Sequence, residues 1–181
     1  MKRRPSSSRL STSALRQRAQ RLRLVLTDSD GVLTDTGVFY SSEGEVMKRF
    51  SIRDGMGVER LRVDGVETAI ITGELSLSVR RRSEKLAMPF LFSGIRDKQK
   101  HLEIILRETG FSLEQLAYIG DDVNDLEIIR AIHPHGITAA PADAVPEIAQ
   151  AVHYRCKRNG GYGAFREFAE WLIALRSNPA A

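Results

Sequence analysis

The sequence predicts an α/β fold, a parallel sheet held between two layers of helices. Three observations point there. Apolar runs of strand length recur along the chain, helix-patterned segments alternate with them, and the polar residues able to do chemistry fall directly after the runs. The 181 residues suit one core of ordinary size.

The elements follow in order. Residues 1–21 are basic and rich in serine, with little to bury, and read as a disordered tail whose composition overlaps that of organelle transit peptides. Leu24-Val25-Leu26-Thr27 reads as a buried parallel strand that ends in Asp28-Ser29-Asp30-Gly31. If the backbone stayed extended, both carboxylates would point to one side. Val38–Tyr40 and Val46–Phe50, joined by Ser41–Glu45, read as a β-hairpin, a unit marginal by itself in water. Gly55–Val63 reads as a helix, Thr68–Ile71 as a strand ending in Thr72-Gly73, and Ser76–Leu86 as a helix capped by Ser76. Phe90–Phe92 is a third strand, and Lys98–Thr109 a helix stopped by Gly110. Ala117–Ile119 is a fourth strand, running into Gly120-Asp121-Asp122-Val123-Asn124-Asp125, and Asn124–Ala131 is helical. Gly136–Ala139 is a fifth strand and Ala144–Ala149 a short helix. A closing helix, Ala164–Leu175, lines up Phe165, Phe168, Ala169, Leu172 and Leu175 on one face. The domain spans 22–176, followed by a short tail, 177–181.

Composition narrows the function. The pI near 9.5 hints at nucleic acid, but eight of the 27 basic residues sit in positions 1–23, which hold no acid. The other 19 face 23 acids, so the body is acidic and nucleic acid is not the expected partner. No stretch is long and apolar enough to span a bilayer, and the single Cys156 excludes an internal disulfide and a cysteine-based zinc site. A cytoplasmic protein is the expectation. His133, His135, His153 and His101 have no zinc-ligand spacing, and Trp171 reads as packing.

In a parallel sheet all strand tips lie along one edge, where open α/β sheets place their ligands. That edge would collect Asp28, Asp30, Thr72, Lys98 and Asp121. Carboxylates crowded there ask for a cation. The set Asp28-Ser29-Asp30-Gly31, Thr72, Lys98 and Gly120-Asp121-Asp122-x-x-Asp125, each after a strand, resembles the haloacid dehalogenase superfamily of phosphohydrolases. The resemblance covers roughly Arg23 to Leu175 and implies a three-layer Rossmann-like fold in which the hairpin replaces the large cap domain. Within the superfamily the chain is similar to the small cap-less branch that dephosphorylates 3-deoxy-2-keto sugar acids. There, hairpins of neighbouring subunits build a homotetramer and a neighbour covers each active site. Arg53-Asp54-Gly55-Met56-Gly57 and Gly160-Gly161-Tyr162-Gly163-Ala164-Phe165-Arg166-Glu167 are further shared elements.

The resemblance implies Mg²⁺ held by Asp28, the backbone carbonyl of Asp30, and Asp121. Asp28 would attack phosphorus and form an aspartyl-phosphate. Asp30 would act as general acid and then base. Thr72 and Lys98 would hold phosphoryl oxygens, while Asp122 and Asp125 would orient the groups around them. Ser51, Arg53, Asp54, Gly55, Gly73, Glu74, Arg82, Lys85 and Asn124 are candidates for contacting the sugar acid. Arg82 and Lys85 would reach its carboxylate from a neighbouring subunit. Arg80 and Arg81 read as a solvated face paired with Glu84. Glu74 and the run Arg80-Arg81-Arg82 resemble the branch acting on nine-carbon nonulosonate 9-phosphates, and 3-deoxy-D-manno-octulosonate 8-phosphate is the alternative. A non-catalytic oligomerisation module of a sugar-activating system is the alternative of another class. Its expected mark, loss of Asp28 or Asp30, is missing.

Overall fold

In the computed structural model, residues 10–177 are described. The expected strands and helices form, with shifts of one to three residues at their ends. The strands are β1 (Leu24–Thr27), β2 (Val38–Ser41), β3 (Gly44–Lys48), β4 (Glu67–Ile71), β5 (Phe90–Phe92), β6 (Leu116–Ile119), β7 (Ile137–Ala140) and β8 (Tyr154–Arg155). The helices are α1 (Thr12–Arg21), α2 (Ile52–Val63), α3 (Leu77–Lys85), α4 (Lys98–Thr109), α5 (Leu126–Ile132), α6 (Pro146–Ala151) and α7 (Ala164–Ser177). Six strands make one parallel sheet in the order β5-β4-β1-β6-β7-β8, and β2 with β3 forms a separate antiparallel ribbon. The fold is α/β, Rossmann-like, with a hairpin inserted after β1.

Although the strands read as continuous apolar runs, their side chains divide by alternation between two cores. Val25, Ile70, Ala117, Ile119, Ile137 and Ala139 join the core built with α1, α2 and α7. Leu24, Leu26, Ala69, Ile71, Leu116, Tyr118 and Ala140 join the core built with α4, α5 and α6. Trp171 packs as expected, stacked on Tyr154 at 4.3 Å between ring centroids. From β1 the chain moves outward to β4 and β5, then returns to lay β6, β7 and β8 on the other side. The carboxyl end of β1 therefore lies at the switch point of the sheet, where a crevice opens.

The basic segment needs correction. Residues 12–21 are not a disordered extension but a helix, capped by Ser11, whose side chain accepts from the Ala14 N–H. Leu15, Ala19 and Leu22 recur at helical spacing and pack into the core, a stripe obscured by the arginines between them. Arg18 donates to the carbonyls of His133, Pro134 and Gly136 at 2.7 Å each. Arg176 on α7 reaches back to the carbonyl of Ala19 at 2.8 Å. The remainder of the expected tail, residues 1–9, and residues 178–181 lie outside the described residues. Among those described, no helix is long and apolar enough to cross a membrane.

The hairpin turns through Ser42-Glu43 and has a register shift between Phe39 and Tyr40. Its base is tied down by Arg49, which donates to Asp35 at 2.7 Å and to the Gly161 carbonyl at 3.0 Å and lies over the Tyr162 ring. Phe39, Tyr40, Val46 and Met47 are exposed on it.

Candidate active site

Asp28 continues β1, its N–H bonding to the Ile119 carbonyl of β6. The chain then coils, with the N–H groups of Leu33 and Thr34 returning to the Ser29 carbonyl. The backbone does not stay extended, and Asp28 and Asp30 take different partners although both line one cavity. Asp28 Oδ1 accepts from the Ser29 N–H at 2.7 Å, and Oδ2 lies 3.0 Å from Lys98 Nζ. Asp30 turns toward the hairpin, where Lys48 Nζ donates to both of its carboxylate oxygens, at 2.9 and 2.7 Å, and Thr34 Oγ1 lies 3.2 Å from Oδ1.

Beneath Asp28 lies a closed polar network. Lys98, at the first turn of α4, is 1% exposed and donates to Asp125 Oδ1 at 2.6 Å. The buried phenol of Tyr118, from β6, donates to the same oxygen at 2.6 Å. Asp125 Oδ2 accepts the N–H groups of Asp121 and Asp122 at 2.9 and 3.4 Å. A 3-10 turn over Val123–Asp125 brings Asp125 under the loop, fully buried.

Carboxylate oxygens of Asp28, Asp121 and Asp125 lie within 4.8 Å of one another. Asp125 already accepts four donors, so it serves as the brace of this cluster. Asp121 differs: its Oδ1 is buried with no hydrogen-bond partner among the described residues. Burial first, then Asp28, Asp125 and Asp122, push the Asp121 carboxyl up to about 8, although Lys98 opposes them. Burial and Asp125 likewise push Asp28 up to about 7 against the pull of Lys98. Burial opposes the Lys98 charge, but Asp28 and Asp125 outweigh it and hold its ammonium above the ordinary range. Three carboxylates around one ammonium leave negative charge uncompensated, and an orphaned buried oxygen marks where a cation would relieve it. The all-oxygen donors suit a hard divalent ion. The loop backbone is shaped for this closeness: a Cβ on Gly31, whose φ is +86°, would fall 1.9 Å from Asp121 Oδ2.

A cavity of about 230 Å³ opens above the cluster, lined by Asp28, Asp30, Thr36, Thr72, Gly73, Glu74, Asp121, Asp122 and Asn124. Thr72 is buried, and its Oγ1 accepts the Glu74 N–H at 3.2 Å. Glu74 is exposed at the mouth.

Other expected contact residues lie elsewhere in the chain. Ser51 caps α2 by accepting the Asp54 N–H. Asp54 is buried, and its two oxygens accept the N–H groups of Gly163 and Arg166, pinning the start of α7. Arg53 is exposed in a separate cleft with Lys157, Arg158 and Arg166. Arg82 donates to the Ser51 carbonyl at 2.8 Å and lies over Phe50. Its Nη2 occupies the space that a Cβ on Gly55 would fill. Lys85 is exposed and, like Arg82, is not part of the cavity wall. None of these six lines the cavity. Arg81 pairs with Glu84 at 3.0 Å on the exposed face of α3.

Two residues escaped the sequence reading. Tyr118 looks like any apolar strand position until Asp125 folds beneath it. Lys48 stands beside Arg49 at the end of the second hairpin strand, where either charge could face solvent, and nothing short of the tertiary pairing singles it out.

No protein-family model matches the chain. The 3-deoxy-D-manno-octulosonate 8-phosphate phosphatase KdsC of Haemophilus influenzae is 35% identical over 159 residues, covering 88% of this chain and 87% of the relative. The enzyme of the same name from Escherichia coli K12 is 33% identical over 86% of this chain and 81% of its own length. Among solved structures, the cobalt-bound phosphatase of Haemophilus influenzae superposes with a TM-score of 0.84 at 34% identity, covering 90% of this chain and 94% of that one. The phosphatase of Moraxella catarrhalis, solved with magnesium, phosphate and KDO, superposes with a TM-score of 0.84 at 32% identity, covering 93% of this chain and 95% of that one. With the fold and the strand-tip acids in place, these likenesses establish that the chain belongs to the KdsC-like phosphatases of the haloacid dehalogenase superfamily, which are phosphoric monoester hydrolases.

Proposed function

We propose that the chain is a Mg²⁺-dependent phosphatase of a 3-deoxy-2-keto sugar acid phosphate, working through an aspartyl-phosphate on Asp28. The observation that carries this is the orphaned, buried Asp121 oxygen beside Asp28, over a base closed by Lys98, Asp125 and Tyr118. Asp28, Asp121 and the carbonyl of Asp30 would hold the ion, which when bound screens the charge of the phosphoryl oxygens.

The chain's own residues do the rest. The Ser29 N–H and Lys98 fix the Asp28 carboxylate for in-line attack, so little reorganisation is needed. Because Thr72 Oγ1 already accepts from Glu74, its O–H is left to donate to a phosphoryl oxygen, and Lys98 supplies positive charge at the same edge. Asp30, on the cavity wall, gives a proton to the leaving alkoxide and takes one from the water that opens the intermediate. Asp122 and Asn124 rim the cavity, beside Gly73 and Glu74.

For the sugar, the relatives' names favour the eight-carbon acid, 3-deoxy-D-manno-octulosonate 8-phosphate. Glu74 at the mouth favours a nine-carbon nonulosonate 9-phosphate, since it would accept hydroxyl hydrogen bonds where an arginine would bind a carboxylate. Arg82 and Lys85 lie outside their own chain's cavity, and the hairpin is exposed and apolar. Both features support a homotetramer in which a neighbour completes each site. Steady-state kinetics on the two sugar phosphates with Mg²⁺, and again in excess chelator, test the reading. Chelation should abolish turnover. Glu74→Arg should change the ratio of kcat/KM between the sugars by about ten- to a hundredfold if Glu74 meets the substrate. Turnover in chelator, or no activity on either sugar, would refute the proposal.

A further inference from the structure

We propose that Lys48 is a positioning residue that holds the Asp30 carboxylate where it serves the leaving oxygen, so that the hairpin takes part in the chemistry of its own chain. This rests on the acid/base role given to Asp30 above. The Lys48 side chain is 1% exposed, although it sits on a two-stranded ribbon that pairs with no other strand among the described residues. Its ammonium meets both Asp30 oxygens, at 2.9 and 2.7 Å, and Glu45 Oε2 at 3.5 Å. Contact with both oxygens fixes the plane of the carboxylate, and Thr34 at 3.2 Å fixes its edge. Asp30 is 27% exposed along its side chain, so without these partners it could swing toward water.

Lys48 is itself held. Glu45 bonds through its other oxygen to Ser76 Oγ, and Ser76 caps α3 by accepting the Val79 N–H. A polar chain thus runs from the start of α3, just after the Thr72-Gly73-Glu74 turn, through the hairpin to Asp30. Stability alone does not call for this arrangement. A buried ammonium is costly, and well-packed apolar residues commonly replace buried ion pairs without loss. What an apolar residue could not do is orient a carboxylate.

The test uses leaving groups. A sugar phosphate expels a basic alkoxide and needs the proton from Asp30; 4-nitrophenyl phosphate expels a stable phenolate and does not. Because kcat/KM reports phosphoryl transfer and not hydrolysis of the intermediate, it isolates the step in question. Lys48→Met should lower kcat/KM for the sugar phosphate by about ten- to a hundredfold, the scale set by a misplaced catalytic group. It should leave that for 4-nitrophenyl phosphate within about threefold, because this ester needs no acid. Lys48→Arg, which keeps a cation beside Asp30, should recover most of the loss, and it carries the test if circular dichroism shows that Lys48→Met does not fold. Glu45→Gln, which keeps the Lys48–Asp30 contact, should cost less than Lys48→Met. Equal losses on both esters, or none on either, would overturn the proposal. Asp30→Asn is the control. If it shows no preference between leaving groups, the acid/base assignment has failed and the role of Lys48 falls with it.

Discussion

The two aspartates that bracket Ser29 are two residues apart in sequence and live in different structural regimes. Asp28 belongs to the sheet. It is 5% exposed, hydrogen-bonded to the next residue, and backed by Lys98 at the start of α4, which is held in turn by Asp125 beneath the loop after β6 and lies near Tyr118 of that strand. Asp30 belongs to the insertion. Its partners are Thr34 in the turn and Lys48 on the hairpin, and it keeps more than a quarter of its side chain in solvent. In the proposed mechanism the sheet would provide the rigidity that a nucleophile requires, and the insertion the group that serves the leaving oxygen and the attacking water. One short turn, coiled around the Ser29 carbonyl, divides the two environments.

The largest expected effect tests the sheet side. Asp28→Asn should reduce turnover to background and eliminate the acid-stable phosphoprotein trapped from labelled substrate. A labelled intermediate persisting in this variant would break the comparison outright. Next comes the insertion side, where Asp30→Asn should lower kcat by about 10²–10⁴-fold, the usual range for a general acid or base. Its intermediate should still form and should accumulate, which a rapid-quench experiment would read. Loss of the intermediate in Asp30→Asn would mean that the two residues are not functionally separate.

The smallest effect concerns stability. In the metal-free folded chain the carboxyls of Asp28 and Asp121 are raised to about 7 and about 8, against about 4 in an unfolded chain. Between those limits the folded state binds more protons than the unfolded one, so metal-free stability should fall as pH rises from about 4 to 8. Mg²⁺ should reverse the trend by favouring the ionised carboxylates. Melting temperatures at pH 5 and pH 8, with chelator and with Mg²⁺, check both signs. A metal-free protein more stable at pH 8 than at pH 5 would count against the crowded-carboxylate account of the sheet side.

Legibility in the sequence followed the same division. Asp28, Thr72 and Asp121 could be placed together because a strand carries the residues just after it to a known edge, whatever surrounds it, whereas Lys98, at the start of the helix after β5, is placed by the family pattern. Lys48 could not, because its meaning depends on a ribbon folding back by 18 residues. The helix at Thr12–Arg21 was hidden by composition: its apolar stripe is only three residues wide, and its Arg18 fastens carbonyls of other elements. Asp54 misled in another way. It lies in a stretch shared with the family, yet in this chain it engages the backbone at the start of α7. A motif can be kept for packing as readily as for contact with a ligand.

The close approach at Gly31 bears on how this enzyme could be re-engineered. A methyl group there would land on Asp121, and one on Gly160 would fall 1.8 Å from the Gly31 carbonyl oxygen. Loop 160–163 is therefore stacked backbone on backbone against the turn after β1, and the Asp121 carboxylate from the loop after β6 packs directly on the Gly31 backbone. Libraries aimed at a new sugar should diversify the rim, at Thr36, Glu74, Asp122 and Asn124, where side chains face an open cavity. A substitution at Gly31 would push on the Asp121 carboxylate and one at Gly160 on the backbone of the turn that carries Asp28 and Asp30, so such variants should be found among the inactive members whatever substrate is screened.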